Sequence, residues 1–171
     1  MEGGAGARVH LATGILERDG ALLLVASRYP NHREPLWNLP GGRQRPGELV
    51  GDALVREFLE ETGLAIERGP LAYVAESYDR ATSVHFVNFA FEIAAARYAA
   101  SGEPLERAVA LVAPKADAHV VELAWIPRAD IAKRLKIAVV REPLLGYLSD
   151  EPKRYFSFDD AGITIEFADP A

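Results

Sequence analysis

Glu57, Glu60 and Glu61 stand within about one helical turn of each other, directly after Arg56 and downstream of a glycine-led loop that carries Gly42 and Glu48. Carboxylates three and four residues apart on a helix are spatial neighbours. Held that close, like charges repel and favour protonation unless a cation neutralises them. A hard divalent ion such as Mg²⁺ suits the task, because it takes oxygen ligands and joins carboxylates to the phosphate oxygens of a substrate. Metal-assisted hydrolysis of a phosphate ester or anhydride is therefore the chemistry these residues point to.

The helix that carries them sharpens the reading. At about 100° per residue, Leu54 and Phe58 fall roughly 40° and 80° from Val50, and Ala53 roughly 60° to the other side, which marks an inward arc. On the same wheel Glu57 and Glu61 fall about 20° either side of Val50, and Glu60 about 80° away, whereas Asp52 and Arg56 point elsewhere. A solvated charge run would put Glu57 and Glu61 opposite the core. Acids beside an apolar arc must be paired or bind a metal. Val55 and Leu59 make a second apolar stripe, so the helix is expected to be covered on two sides.

The residues Gly42, Glu48, Arg56-Glu57-Phe58, Glu60-Glu61 and Gly63-Leu64 resemble the Nudix box, Gly-x5-Glu-x7-Arg-Glu-U-x-Glu-Glu-x-Gly-U, where U is a bulky aliphatic residue. Only Phe58 departs, being aromatic where Ile, Leu or Val is usual, and Leu39-Pro40-Gly41-Gly42 leads in as in the family. The resemblance implies an α/β fold: an α/β/α sandwich with a mixed β-sheet and the box as a loop-helix-loop, in one Nudix hydrolase domain over residues 1–171. It implies divalent-metal-dependent hydrolysis of a diphosphate linkage in a nucleoside diphosphate derivative, with Mg²⁺ or Mn²⁺ as cofactor. Glu57, Glu60 and Glu61 would be metal ligands, joined by the backbone carbonyl of Gly42. Arg56 would hold the carboxylates by ion pairing. Glu48 would accept that pair or act through a water, or else be an acid favoured by the helix dipole in the first turn. Which glutamate is the general base stays open.

Many relatives add an acid from outside the box. Glu122 and Asp117 are the candidates here, in Asp117-Ala-His119-Val-Val-Glu122-Leu-Ala-Trp125; a solvent-facing strand position is the alternative for Glu122. Arg28, Arg33, Arg43 and Arg45 lie in loops near the box, where they would reach substrate phosphates or remain surface charges. Trp37, Tyr78 and Phe86 would either stack a nucleobase or belong to the core. His10, His32, His85 and His119 show no ligand spacing.

Several further elements must position this site. Strands are predicted at Val9–Leu16 and Ala21–Ala26 about an Asp19-Gly20 turn, then at Trp37–Leu39. The box helix runs from about Glu48 to Glu61 and stops at Gly63. Strands follow at Leu71–Ser77 and Ser83–Ile93. The Ala-rich stretch 94–118 reads as helix or loop. A strand at His119–Ile126 leads into a helix opened by Pro127, with a second helix near Val140–Leu148. Tyr155–Phe158 and Ile163–Phe167 flank Asp159-Asp160-Ala161-Gly162 as a terminal hairpin within 154–168. That hairpin would cover the site or pair with a second copy, giving a homodimer.

Composition agrees with a globular enzyme: 171 residues, 49% apolar, no cysteine and a net charge of −6. Without cysteine, thiolate metal sites and Cys nucleophiles are excluded, and a reducing, cytoplasmic location is expected. No apolar run is long enough for a membrane helix, and the acidic balance argues against a nucleic-acid partner. An anionic substrate at an acidic protein needs bound cations to invert the local field.

The expected partner is a small-molecule nucleoside diphosphate derivative, such as a nucleoside triphosphate or nucleotide-sugar. No proline lies between Pro70 and Pro104, where the ADP-ribose type carries one; Leu22–Arg28 matches the coenzyme A type poorly; Tyr78 is out of step with the dinucleoside-polyphosphate type. A Nudix-fold module that binds a nucleotide without cleaving it is the alternative, although such modules generally lose box glutamates. An isoprenoid diphosphate isomerase would need a cysteine, and a cap-removing enzyme a basic surface.

Overall fold

The structure, a computed structural model, describes residues 6–109 and 119–167. Its elements in chain order are β1 (Arg8–Ile15), β2 (Glu17–Arg18), β3 (Ala21–Ser27), β4 (Leu36–Asn38), β5 (Gly41–Arg43), α1 (Val50–Thr62), β6 (Leu64–Asp79), β7 (Val84–Tyr98) and β8 (Val120–Pro127). A 3₁₀ turn at Arg128–Asp130 leads into α2 (Ile131–Arg134), then α3 (Ala138–Tyr147) and β9 (Tyr155–Phe158). One sheet has the order β5-β1-β7-β6-β9; in the other, β2 and β4 pair with β3, and so does β8. The first is mixed, since β1 runs parallel to β7 and β9 parallel to β6.

The leucine run of β3 shows how the layers form. Leu22 and Leu24 enter a core with Tyr73, Ala75, Ile131, Leu135 and Leu144, whereas Leu23 enters another with Leu54, Phe58, Phe91 and Ile93. Successive strand side chains point to opposite faces, so a strand covered on both reads as a continuous apolar run. Helix α1 covers one side and α2 and α3 the other, which is the α/β/α layering.

Four differences from the sequence reading have physical causes. Strands β6 and β7 are longer than predicted, because β6 begins directly at Leu64 and absorbs Gly69-Pro70 by register shifts between Arg68, Leu71 and Tyr73. Residues 94–98 accordingly extend β7 rather than forming a helix or loop. The stripe of Val55 and Leu59 is not covered: these side chains are 37% and 44% exposed, because both core clusters lie away from that side of α1.

Among the described residues the terminal hairpin does not form. β9 pairs in parallel with β6, from Val74↔Tyr155 to Ser77↔Phe158, and residues 161–167 form no strand. Instead they form a strap held by side chains of other segments. Thr164 O accepts from Asn31 Nδ2 at 2.7 Å and from His32 Nε2 at 2.8 Å, and the Glu166 amide donates to Asn31 Oδ1 at 3.0 Å. The sequence reading made Ile163–Phe167 the second strand of a hairpin; the segment instead takes its partners from Asn31 and His32.

Candidate active site

β1 fixes the entry to the box. It pairs antiparallel with β5 at Ala12↔Gly42 and Thr13↔Gly41, so the two glycines are held as strand. α1 returns beneath them and ends at Gly63, whose φ of 72° is the left-handed conformation glycine adopts at little cost. The helix thereby carries its acids to the glycine strand. The Gly41 amide donates to Glu61 Oε1 at 2.6 Å. A Cβ on Gly42 would lie 2.5–2.7 Å from the carboxylate atoms of Glu57. A side chain at position 42 and this placement of Glu57 are mutually exclusive.

Arg56 ties the acids together. Its Nε and Nη2 donate to the two oxygens of Glu48 at 2.8 and 3.1 Å, its Nη1 to Glu57 at 2.8 Å and to Glu60 at 3.3 Å, and its Nη2 to the Arg43 carbonyl at 3.0 Å. The planar fork meets Glu48 bidentately, a geometry lysine cannot copy. That bond holds the Glu48 carboxyl down at about 2, and the same pairing raises Arg56. The wheel puts Arg56 about 40° from Glu60 but about 100° from Glu57; the length of its side chain carries the guanidinium on to Glu57 and Glu48. Exposure grades the acids as the wheel suggested, with Glu61 3% exposed, Glu57 mostly buried and Glu60 half-exposed.

Burial pushes the Glu61 carboxyl up, against the pull of His119 and the Gly41 amide. His119 Nε2 stands 3.5 Å from Glu61 Oε2, and this contact raises the imidazole. The Tyr29 ring lies 6.3 Å from that of His119; its hydroxyl is pushed up to about 12, by burial first and then by the charge of Glu61. No spacing in the sequence marks His119 or Tyr29, because their neighbour Glu61 is remote in the chain.

Beside the acids opens an apolar pocket. Its lining includes Thr13, Asn38, Gly42, Phe86, Asn88 and Val140, and the strap closes it with Ala161, Ile163, Ile165 and Phe167. Thr13 Oγ1 donates to Asn88 Oδ1 at 3.1 Å, and Asn38 Oδ1 accepts the Leu39 amide at 2.7 Å. With both carbonyls engaged, each asparagine would present its NH₂ group to a ligand. A second, polar recess lined by Arg8, Arg43, Arg45 and Glu57 meets the pocket at Phe167.

Not every residue singled out in the sequence reaches this site. Arg43 does, with its guanidinium 4.3 Å from the Phe167 ring centre, and Phe86 lines the pocket. Arg45 lies 3.8 Å from Glu60. Trp37 and Glu122 flank Ala26 from the two neighbouring strands and so share one sheet face. Leu36 and Asn38, either side of Trp37, turn to the opposite face and line the pocket. Trp37 carries Arg134 over its ring at 4.7 Å, and Glu122 is exposed, the solvent-facing alternative. Tyr78 contributes its backbone carbonyl, which accepts the Ala161 amide at 2.8 Å. Arg28 is exposed and donates its amide to the His119 carbonyl; Arg33 is exposed; Asp117 lies outside the described residues.

The profile of the NUDIX domain matches residues 8–147. The chain belongs to the Nudix family. Among curated Nudix relatives, it is 40% identical over 78 residues to an ADP-ribose pyrophosphatase of Methanocaldococcus jannaschii, a match covering 46% of each chain. It is 41% identical over 64 residues to diphosphoinositol polyphosphate phosphohydrolase 2 of Mus musculus, covering 37% of this chain and 34% of that one. The chain thus spans half or less of the length of these relatives. The MutT protein of Bacillus halodurans superposes with a TM-score of 0.67 at 17% identity, over 92% of this chain and 94% of that one, which establishes the Nudix fold. Among the described residues, no helix is long and apolar enough to cross a membrane.

The donor set suits a hard cation. Among the described residues no three His, Cys, Asp or Glu side chains converge into a ready-made metal cage. Mg²⁺ characteristically does without one, using one or two carboxylates together with substrate phosphates and waters. The Glu57 carboxylate seated on Gly42, with Glu61 and Glu60 beside it, matches that requirement in chemistry and charge.

Proposed function

We propose that this Nudix protein hydrolyses a diphosphate linkage in a nucleoside diphosphate derivative, a nucleoside triphosphate, nucleotide-sugar or similar compound, with Mg²⁺ or Mn²⁺. The observation that carries the reading is the Glu57 carboxylate held against the side-chain-free Gly42 and anchored by Arg56. Glu57, Glu60, Glu61 and the Gly42 carbonyl would hold the ion, which when bound polarises phosphoryl oxygens, activates water and offsets charge on the leaving phosphate.

The chain's own residues supply order. Arg56 fixes the angle between Glu48 and Glu57, so the acids are positioned before substrate arrives. Glu48, kept ionised by Arg56, acts through that arginine. Glu61 is fixed by the Gly41 amide and His119, on the buried side of the same cluster. Arg43 and Arg45, in the polar recess beside Glu57, would meet the outer phosphates, and the apolar pocket would take the organic group. The relatives named above act on chemically different diphosphates, and this chain matches only part of each, so the compound itself is to be found by assay.

The test is a hydrolysis screen of nucleoside triphosphates, oxidised nucleotides, nucleotide-sugars, ADP-ribose, dinucleoside polyphosphates and coenzyme A. It is run with Mg²⁺, with Mn²⁺ and with chelator, using Glu57→Gln as the blank. Turnover of one class, lost on chelation and in the blank, supports the reading. Metal-independent turnover, or turnover equal in the blank, overturns it.

A further inference from the structure

We propose that the strap Ala161–Phe167 is the specificity wall of this site, and that Ile165 and Phe167 select diphosphates whose organic group is a flat nucleobase. The inference rests on the reading of the site as one for nucleoside diphosphates. The strap lies beyond the matched domain, which ends at residue 147, so this wall is supplied by chain outside the match.

Three observations carry it. The first is periodicity. Ala161, Ile163, Ile165 and Phe167 all line the pocket, while Glu166 is exposed and Thr164 is engaged by its carbonyl and hydroxyl elsewhere. Every second residue from 161 to 167 meets the cavity and those between are exposed or bonded elsewhere, so the strap presents an apolar face to it.

The second is anchoring. Besides the bonds from Asn31 and His32, Thr164 Oγ1 donates to Asp79 Oδ1 at 3.2 Å, and the Ala161 amide donates to the Tyr78 carbonyl. Asp79 is itself buried. Burial pushes its carboxyl up, but bonds from Thr82, Thr164 and the Ala81 and Thr82 amides outweigh this and hold it below the usual range. A wall fixed at both ends loses little entropy when a ligand binds, which favours discrimination.

The third is the position of Phe167. Its ring borders both cavities and stands 6.1 Å from Tyr29 and 6.4 Å from Phe86, with Arg43 over it. An aromatic junction between an apolar pocket and an arginine-lined recess matches a molecule with a flat ring at one end and phosphates at the other. A densely phosphorylated polyol would have no use for the apolar face.

Calorimetry with ligands that cannot turn over separates the two ends. The probes are the methylene-bridged analogues of ADP, GDP, CDP and UDP, and methylenediphosphonate, which has the phosphates and no ring, all with Mg²⁺. For the analogue bound tightest by the wild type, Phe167→Ala and Ile165→Ala are expected to lose about ten- to a hundredfold in affinity, the range given by loss of a stacking or apolar partner. Methylenediphosphonate binding is expected to hold within roughly twofold, and Glu166→Ala to bind every probe as the wild type does, since it touches neither cavity. Recovery in Phe167→Tyr would separate a ring contact from a folding effect.

Equal losses for ringed and ringless probes would overturn the proposal, as would unchanged affinities. So would tighter binding of a diphosphoinositol polyphosphate than of any nucleoside analogue. A protein that binds the analogues through the strap yet cleaves no diphosphate would keep this wall and remove the hydrolase reading, so the two failures are distinguishable.

Discussion

The box and the strap hold their shapes by opposite means. Around Gly42 and α1, order comes from charge: one arginine donates to Glu48, Glu57 and Glu60, and a carboxylate fills the space a methyl group would need. Along residues 161–167, order comes from apolar alternation, tied down by hydrogen bonds from segments far away in the chain. The first arrangement is held by contacts within the chain itself, as positioning a cation requires. The second presents a surface whose side chains can change without disturbing the acids. On the proposed reading, reaction and selectivity would be carried by separate parts of the molecule.

Substitutions should widen or collapse that separation. The largest effect is expected for Glu57→Gln or Glu61→Gln, with turnover falling roughly a hundred- to a thousandfold because an ion contributing several kcal/mol of stabilisation is lost. Chelation should match it, melting temperatures should stay near wild type, and the fall should be the same for every substrate. Steady-state kinetics beside thermal unfolding would check this; a loss confined to one substrate would merge the two regions.

Gly42→Ala adds no charge and removes none. It should displace the Glu57 carboxylate, a flexible end that can move, and lower kcat about ten- to a hundredfold with little change in stability. Wild-type kcat would mean that the seat on Gly42 is immaterial.

Asp79→Asn should loosen the strap, raising KM more than it lowers kcat and costing about 1–3 kcal/mol, the range for a buried hydrogen-bonding group losing its match. Because the Asp79 carboxyl is held below its ordinary value, its contribution is complete above the unfolded value of about 4 and disappears as pH falls through the lower folded value. The gap in melting temperature between wild type and Asp79→Asn should therefore be widest near neutrality and close towards acid. A gap that widens in acid would assign the wrong sign.

Glu122→Gln should change turnover least, within about twofold, since an exposed acid on the sheet face shared with Trp37 touches neither region. A large fall in rate would return Glu122 to the ion.

Legibility in the sequence followed the same division. Glu57 and Glu61 were placed beside the core by helical spacing alone, and both are largely buried. Gly63 was read as the helix stop and is its left-handed cap. These are local facts, set by residues a few positions apart. Phe167 beside Arg43, and His119 beside Glu61, join segments that only the folded sheets bring together. Trp37 illustrates the limit from the other side: its type suited a stacking platform, but its strand register gave that direction to Leu36 and Asn38. Ile163–Phe167 was read as one arm of a hairpin, and the asparagine and histidine of a distant loop decided where it lies.

The edge strand β9 has a bearing on timing. Four residues paired in parallel with β6 deliver the chain into the strap, and the Ala161 amide bonds to Tyr78 just beyond the last pair. Short edge strands open at low free energy, as units rather than residue by residue. Thr164 and Glu166 are held by Asn31, His32 and Asp79 and not by β9, so amide hydrogens of 155–158 should exchange faster than the Glu166 amide. The sheet edge would then fray while the wall beside it keeps its place.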